Sequence, residues 1–292
     1  MTDPARTEPA ANGAGTIAVT GVTGALGGQV VRLLSDDFRV DLRLLARDPD
    51  RAPDIDTDIR ACEYGDLDAS VAALHGVESL LMVSASESAD RRTEHRTFVR
   101  AAVEAGVRHI VYTSFAGAAA DAAFTLGRDH HDTEQAIRDS GLDFTFLRDS
   151  FYLDVLPLFA DAEGVIRGPA GDGRVAAVAR ADVADVAAAV LRDPDAHRGA
   201  TYTLTGPEAL SLADVAERAG AVLGRPLRFV DESVEEAYAW RREQYGAADW
   251  QLDAWVSTYT AIRDDTLAEV SPDVERLTGH PPRTLEDALT DG

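Results

Sequence analysis

Three glycines raise the first question of chemistry. In TIAVTGVTGALGGQVV they stand at Gly21, Gly24 and Gly27, the spacing G-x-x-G-x-x-G, after an apolar β-type run and at the start of a helical pattern. There the first glycine turns the chain sharply, the second lets backbone N–H groups approach a pyrophosphate, and the third lets the helix close on the strand. The positive end of the helix then faces the phosphates. The stretch Gly21, Val22, Thr23, Gly24, Ala25, Leu26, Gly27 is thus the expected dinucleotide cradle, against the plainer reading of a tight turn without a ligand.

The end of the second strand selects the dinucleotide. A carboxylate there would bind the ribose diol of NADH, whereas an arginine pairs with the 2′-phosphate of NADPH. DLRLLARDP puts Arg47 at that point, while Asp48 before Pro49 reads as a turn residue. NADPH is therefore favoured, with NADH as the lesser candidate and a merely solvated arginine as the bland one. After the third strand, Asp66 and Leu67 could bracket the adenine, and after the fourth, Ser84, Ala85 and Ser86 lie where ribose and nicotinamide would pass.

These residues need a scaffold that brings strand ends to one edge. From Thr16 the β-type runs TIAVT, DLRLLA, IRACEY, SLLMVSA, RHIVYTSF and DFTFLR alternate with helical patterns, among them Ala25 to Ser35 and stretches ending at Ala105 and Ser140. Apolar strands separated by amphipathic helices imply a doubly wound parallel α/β sheet covered on both faces. After Arg148 the punctuation of GVIRGPAGDGRVAAVA reads as a loop or hairpin, followed by helices from about Asp182 to Leu191 and Leu212 to Leu223 and strands TYTLTG and RFV. Residues 232 to 262 are helical in pattern and hold Trp240, Tyr245, Trp250, Trp255 and Tyr259. These aromatics either pack a small lobe or line a pocket for a flat apolar molecule.

Composition narrows the function classes. With 51 acidic and 28 basic residues the formal charge is −23, which repels nucleic acid and anionic membranes. All 28 basic residues are arginine, so no P-loop lysine and no Schiff-base lysine exists in this chain. The single cysteine, Cys62, excludes an internal disulfide and a multi-cysteine metal site, and no metal is expected. No apolar run suggests a signal peptide or a membrane span, which makes cytoplasmic residence the default, and residues 1–14 read as a disordered tail.

The segments GVTGALG, YGDLDASVAALHGVESLLMVSAS, EHRTFVRAAVEAGVRHIVYTS, HHDTEQAIRDSGLDFTFLRDSFY, GPAGDGRVAAVARADVA and GHPPRTLEDAL, between residues 16 and 289, carry a resemblance. The chain resembles the NmrA-like group of atypical short-chain dehydrogenases/reductases, most closely its bacterial NADPH-dependent quinone oxidoreductases. The resemblance implies a Rossmann-type domain over residues 15–155, with 176–205 returning to it. Residues 156–175 and 206–292 then form a small α+β substrate-binding lobe. It also implies NADPH as cofactor and a quinone or similar electron-poor small molecule as acceptor, with a homodimer as a further candidate partnership. Cofactor contacts carry over to Gly21 through Leu26, to Arg47 and to Ser84 through Ser86. Where such relatives commonly read Leu-Arg-Asn-Gly-Trp-Tyr, this chain has Leu147, Arg148, Asp149, Ser150, Phe151 and Tyr152, placing a carboxylate near the expected nicotinamide.

The stretch LGRDHHDTE, Leu126 to Glu134, falls about where tyrosine-dependent relatives carry Tyr-x-x-x-Lys, and it has neither residue. A carbonyl reductase needs that acid because an alkoxide is a poor product. Hydride addition to a quinone gives a delocalised anion that can take its proton from water, so proximity alone could suffice. His130, in the lysine slot, is a candidate to polarise the acceptor or donate a proton, or alternatively to bond the cofactor or sit at a helix start. Tyr152 is the second candidate to touch substrate; Ser114 matches the relatives' serine, Tyr112 is expected in the core and His131 in solvent. The empty dyad slot leaves one alternative function, a dinucleotide-sensing regulator without turnover.

Overall fold

The structure, a computed structural model, describes residues 15–37 and 40–290, so the expected disordered tail at 1–14 lies outside the described residues. Its elements run β1 (Thr16–Val19), α1 (Ala25–Ser35), β2 (Leu42–Ala46), β3 (Asp58–Ala61), α2 (Leu67–Leu74), β4 (Val77–Met82), α3 (Arg91–Ala105) and β5 (His109–Phe115). Then follow α4 (Thr125–Asp139), β6 (Asp143–Asp149), β7 (Val165–Gly168), β8 (Arg174–Val175), α5 (Arg180–Arg192), β9 (Ala200–Leu204), β10 (Leu210–Ser211) and α6 (Leu212–Leu223). The chain continues through β11 (Arg228–Asp231), α7 (Val234–Tyr245), α8 (Asp249–Arg263) and α9 (Asp273–Thr278) to α10 (Leu285–Thr290).

Seven strands form one sheet in the order β3-β2-β1-β4-β5-β6-β9, every neighbouring pair parallel. This is the Rossmann-type doubly wound fold expected from the alternating pattern. Helix α1 shows why the pattern works: Leu26, Val30, Val31 and Leu34 recur at helical spacing and all are buried. They meet Val183, Val186, Ala187 and Val190 of α5 under one face of the sheet. Phe98, Val99 and Ala102 of α3 cover the other face with Ile137 of α4. Strand order reverses between β1 and β4, and the loops after those two strands part at the switch point where an α/β sheet opens a crevice.

The stretch between β6 and α5 is not a hairpin. β7 pairs in parallel with β11, which arrives 60 residues later, and β8 pairs antiparallel with β10. Local Gly and Pro punctuation marks the ends of these strands but not partners so distant in sequence. The C-terminal stretch assigned wholly to the lobe is also divided: Val274 of α9 packs into the α1–α5 core, whereas Leu285 and Ala288 of α10 join the lobe core with α6. Among the described residues no helix is long and apolar enough to cross a membrane.

Candidate active site

The loop after β1 has the shape its glycines suggested. Gly21 has φ +65°, a left-handed conformation that favours glycine, and Gly24 N–H closes a turn on Gly21 O at 2.9 Å. At Gly27 a Cβ would fall 2.4 Å from Gly21 O and 2.8 Å from Thr20 O, both rigid backbone, so only glycine lets α1 come this close. Gly24 caps α1 without a side-chain hydrogen bond, and the first turn carries no acidic residue. Thr23, Gly24 and Ala25 are exposed there, leaving helix N–H groups facing outward for an anion. The side chains of Val22 and Leu26 are in the core, so at these two expected contact positions only the backbone is available.

Arg47 follows the last residue of β2, is exposed, and has no side-chain partner among the described residues. Asp48 is spent on the turn, its carboxylate accepting from Asp50 N–H at 3.3 Å. Asp66 does not present a free carboxylate either: it caps α2, accepting from Ala69 N–H at 3.0 Å, and Leu67 packs its half-buried side chain on the α2–α3 core. The glycine loop, the open helix end and the unpartnered guanidinium fit a phosphorylated dinucleotide.

The loop after β4 is pinned from several sides. Tyr64 Oη donates to Val83 O at 2.6 Å, Val83 N–H donates to Thr20 Oγ1 at 2.9 Å, and Ser84 N–H to Thr113 Oγ1 at 2.8 Å. Ala85 N–H donates to His95 Nε2 at 3.1 Å, and Arg91 Nε donates to Ala85 O at 3.0 Å. Because His95 Nε2 accepts, its proton sits on Nδ1 and goes to Thr133 Oγ1 at 2.8 Å. His95 is therefore a neutral strut, and burial holds its pKa well below the usual imidazole value. Ser84 and Ala85 are half-buried and Ser86 is exposed, so this expected stretch has a fixed backbone and an open end.

His130 is not poised as a titrating acid. It is buried on α4, with Arg91 Nη2 at 3.2 Å from Nε2 and Tyr112 Oη at 3.0 Å from Nδ1. Burial first, then the Arg91 charge, push its pKa well below the ordinary value, so the imidazole is neutral. His131 is half-exposed, less open than expected, and Tyr112 is wholly buried, as expected. Ser114 is committed elsewhere, donating to Glu134 Oε1 at 2.6 Å. Burial alone would raise the Glu134 pKa, but hydrogen bonds from Arg148 and Ser114 outweigh it and hold the carboxylate below its usual value. Arg148 grips both Glu134 oxygens at 2.8 and 2.7 Å, a bidentate pair that fixes α4 on β6.

At the end of β6 the Asp149 carboxyl is buried, and burial pushes its pKa up to about 8. Tyr152 Oη donates to Asp149 Oδ2 at 2.9 Å, whereas Oδ1 and the neighbouring Ser150 Oγ have no partner among the described residues. Asp149, Tyr152, His130, Ser84, Phe151 and Phe159 line a cleft of about 200 Å³. Phe159 also borders a larger cleft of about 450 Å³ with Trp240, Tyr245, Trp255, Tyr259 and Arg167. Four of the five lobe aromatics thus line a cavity, and Trp255 Nε1 further donates to Glu87 Oε1 at 3.0 Å, tying α8 to the loop after β4.

Sequence reading missed Arg91, His95 and Tyr64, whose work is to hold a backbone. A cation and an imidazole four residues apart at the start of a helix were the only local signal.

A family model described as NAD(P)H-binding matches residues 21–194. Quinone oxidoreductase 2 of Escherichia coli (strain K12) is 33% identical over 281 residues, covering 94% of this chain and 97% of that protein. An NAD(P)H azoreductase of Xenophilus azovorans is 33% identical over 277 residues, covering 93% and 96%. The crystal structure of the Escherichia coli NADPH-dependent quinone oxidoreductase complexed with NADPH superposes with a TM-score of 0.84 at 32% identity, covering 94% of this chain and 99% of that one.

Proposed function

Since the chain belongs to the NAD(P)H-binding family and is similar over nearly its whole length to a quinone oxidoreductase, we propose that it is an NADPH-dependent reductase of quinones and kindred electron-poor acceptors. The observation that carries this reading is the pairing of two features at one sheet edge. A glycine loop built for a pyrophosphate follows β1, and an aromatic-lined cleft opens beside the loop after β4.

In this reading the N–H groups from Gly21 to Gly27 hold the pyrophosphate, with Val22 and Leu26 contributing backbone only. Arg47 takes the 2′-phosphate. Asp66 and Leu67 border the adenine by the exposed start of α2, and the pinned backbone of Ser84, Ala85 and Ser86 guides ribose and nicotinamide. The bound nicotinamide supplies hydride. The protein holds a flat acceptor against it in the cleft of Phe151, Tyr152 and Phe159, shielded from bulk water, so that orientation lowers the barrier. His130, neutral and bonded through both nitrogens to Arg91 and Tyr112, keeps Arg91 in place beside the cleft, and imidazolium does not supply the proton. The azoreductase relative makes an azo group a second candidate acceptor, since reduction of either needs one hydride and one proton.

The test is steady-state oxidation of NADPH by the purified protein with benzoquinones, naphthoquinones and an azo dye. Acceptor-dependent turnover is expected, faster with NADPH than with NADH. Tight NADPH binding with no turnover on any acceptor would overturn the reading.

A further inference from the structure

The cleft contains one group that the reading above leaves idle. Tyr152 Oη donates to Asp149 Oδ2, an arrangement that leaves the hydrogen of a protonated carboxyl on Oδ1, the oxygen with no partner among the described residues. A buried O–H without an acceptor is costly in a folded protein unless a ligand completes it. Asp149 lines the cleft beside Ser84 and His130, where an acceptor oxygen would complete it. We propose that Asp149 is the catalytic acid of this site, giving its Oδ1 proton to the reduced acceptor, with Tyr152 as the positioning residue that keeps that proton off Oδ2.

The step balances. The acceptor gains two electrons and one proton as hydride from the cofactor, which leaves one acceptor oxygen as an anion. The O–H bond at Asp149 Oδ1 breaks, an O–H bond forms on that oxygen, and the carboxylate is reprotonated from water before the next turnover. No further oxidant or reductant is needed.

The surroundings favour a neutral acid at physiological pH. Desolvation is the dominant influence on Asp149 and places its titration at about 8, while the Tyr152 hydrogen bond acts in the opposite direction. The charged groups around it are already matched. On β6 itself Arg148 is paired with Glu134, which also takes the Ser114 hydroxyl of β5. From α4 His130 is neutral, and Arg91 of α3 stands behind it with Asp129 at 3.6 Å. Behind Tyr152, Arg180 of α5 is paired with Asp154.

This inference rests on the reductase reading, and the experiment separates the two. Infrared difference spectra of the cofactor-free full chain, titrated from about pH 5 to about pH 10, should show a protonated carboxyl band lost near pH 8 and missing in Asp149→Asn. With NADPH and a quinone, kcat of the native protein should fall above that pH. Asp149→Asn, nearly isosteric, should be slower by roughly 10²-fold with no alkaline limb and little change in NADPH affinity. In Tyr152→Phe the limb should move to higher pH, because a hydrogen bond that stabilises the carboxylate is gone. A merely structural carboxyl would shift neither limb. An Asp149 already ionised at pH 6, or an Asn variant with native kcat and native pH profile, overturns the acid while leaving the reductase reading intact. Absence of turnover in the native protein overturns both.

Discussion

Arg91 Nη2 lies 3.2 Å from His130 Nε2, and a guanidinium can only donate, so this contact fixes the imidazole as an acceptor at Nε2 with its proton on Nδ1, toward Tyr112. A histidine bonded in this way cannot become imidazolium without losing the Arg91 contact and placing two buried cations side by side. Turnover should therefore show no acidic limb near the ordinary histidine value of about 6.5. Nitrogen-correlated NMR should report both His130 and His95 as neutral Nδ1–H tautomers at and below the pH where an ordinary histidine takes up its proton. Removing the ring in His130→Ala strips Arg91 of an acceptor and should cost about 1–3 kcal/mol of stability by denaturant unfolding. A limb near that value that vanishes in His130→Gln would return His130 to the role of acid.

Among the described residues Arg47 differs from most arginines in having no carboxylate partner. The carboxylate of its neighbour Asp48 is turned to the Asp50 N–H in the turn after β2. Arg47→Ala should weaken NADPH binding by about 1.5–3 kcal/mol, the worth of a charged hydrogen bond, and leave NADH nearly untouched, as read by calorimetric titration. Equal losses for both dinucleotides would mean that the 2′-phosphate is bound elsewhere.

What sequence could foretell and what it could not divides along a physical line. Helix α1 was bounded at Ala25 and Ser35, and α6 at Leu212 and Leu223, because glycine punctuation, caps and apolar spacing are local signals. The glycine cradle was legible for the same reason. The pairing of β7 with β11 was not, because neither segment encodes its partner. Arg91 and His95 stayed hidden because they act on a backbone in space, and the protonation state of His130 was not legible because it follows from burial and from Arg91, 39 residues away. Asp149 was visible as an unusual residue, but nothing local says that its carboxyl is dry.

Gly27 offers a test of the cradle that needs no substrate. Its missing Cβ would sit 2.4 Å from Gly21 O, with no flexible side chain to yield, so Gly27→Ala must either push α1 away from β1 or reshape the loop. A Cβ at Gly24 would meet the same oxygen at 3.3 Å, a contact that small shifts can relieve. Gly27→Ala should thus lose more than about 2 kcal/mol of stability and most NADPH affinity, as strained substitutions at close approaches do. Gly24→Ala should keep near-native stability. The reverse order in thermal unfolding would mean that the loop is not held as described.

The raised pKa of Asp149 also predicts how the fold responds to pH. In the unfolded chain this carboxyl ionises near 3.8; in the folded chain burial delays ionisation to about 8. Between those values the folded state holds a proton at Asp149 that the unfolded state has lost, so the contribution of this group to stability falls as pH rises through that window and levels off above it. Each pH unit in the window costs up to about 1.4 kcal/mol, so at neutral pH the buried acid destabilises the protein by up to roughly 4 kcal/mol. Asp149→Asn removes the ionisable group while keeping its shape. Calorimetric unfolding should find the variant more stable than the native chain, with a gap that widens from about pH 5 to about pH 8 and then stays constant. All other titrations are common to both proteins and cancel in the difference. A gap independent of pH would show that Asp149 ionises alike in the folded and unfolded chains, and the proton could not be held where the cleft needs it.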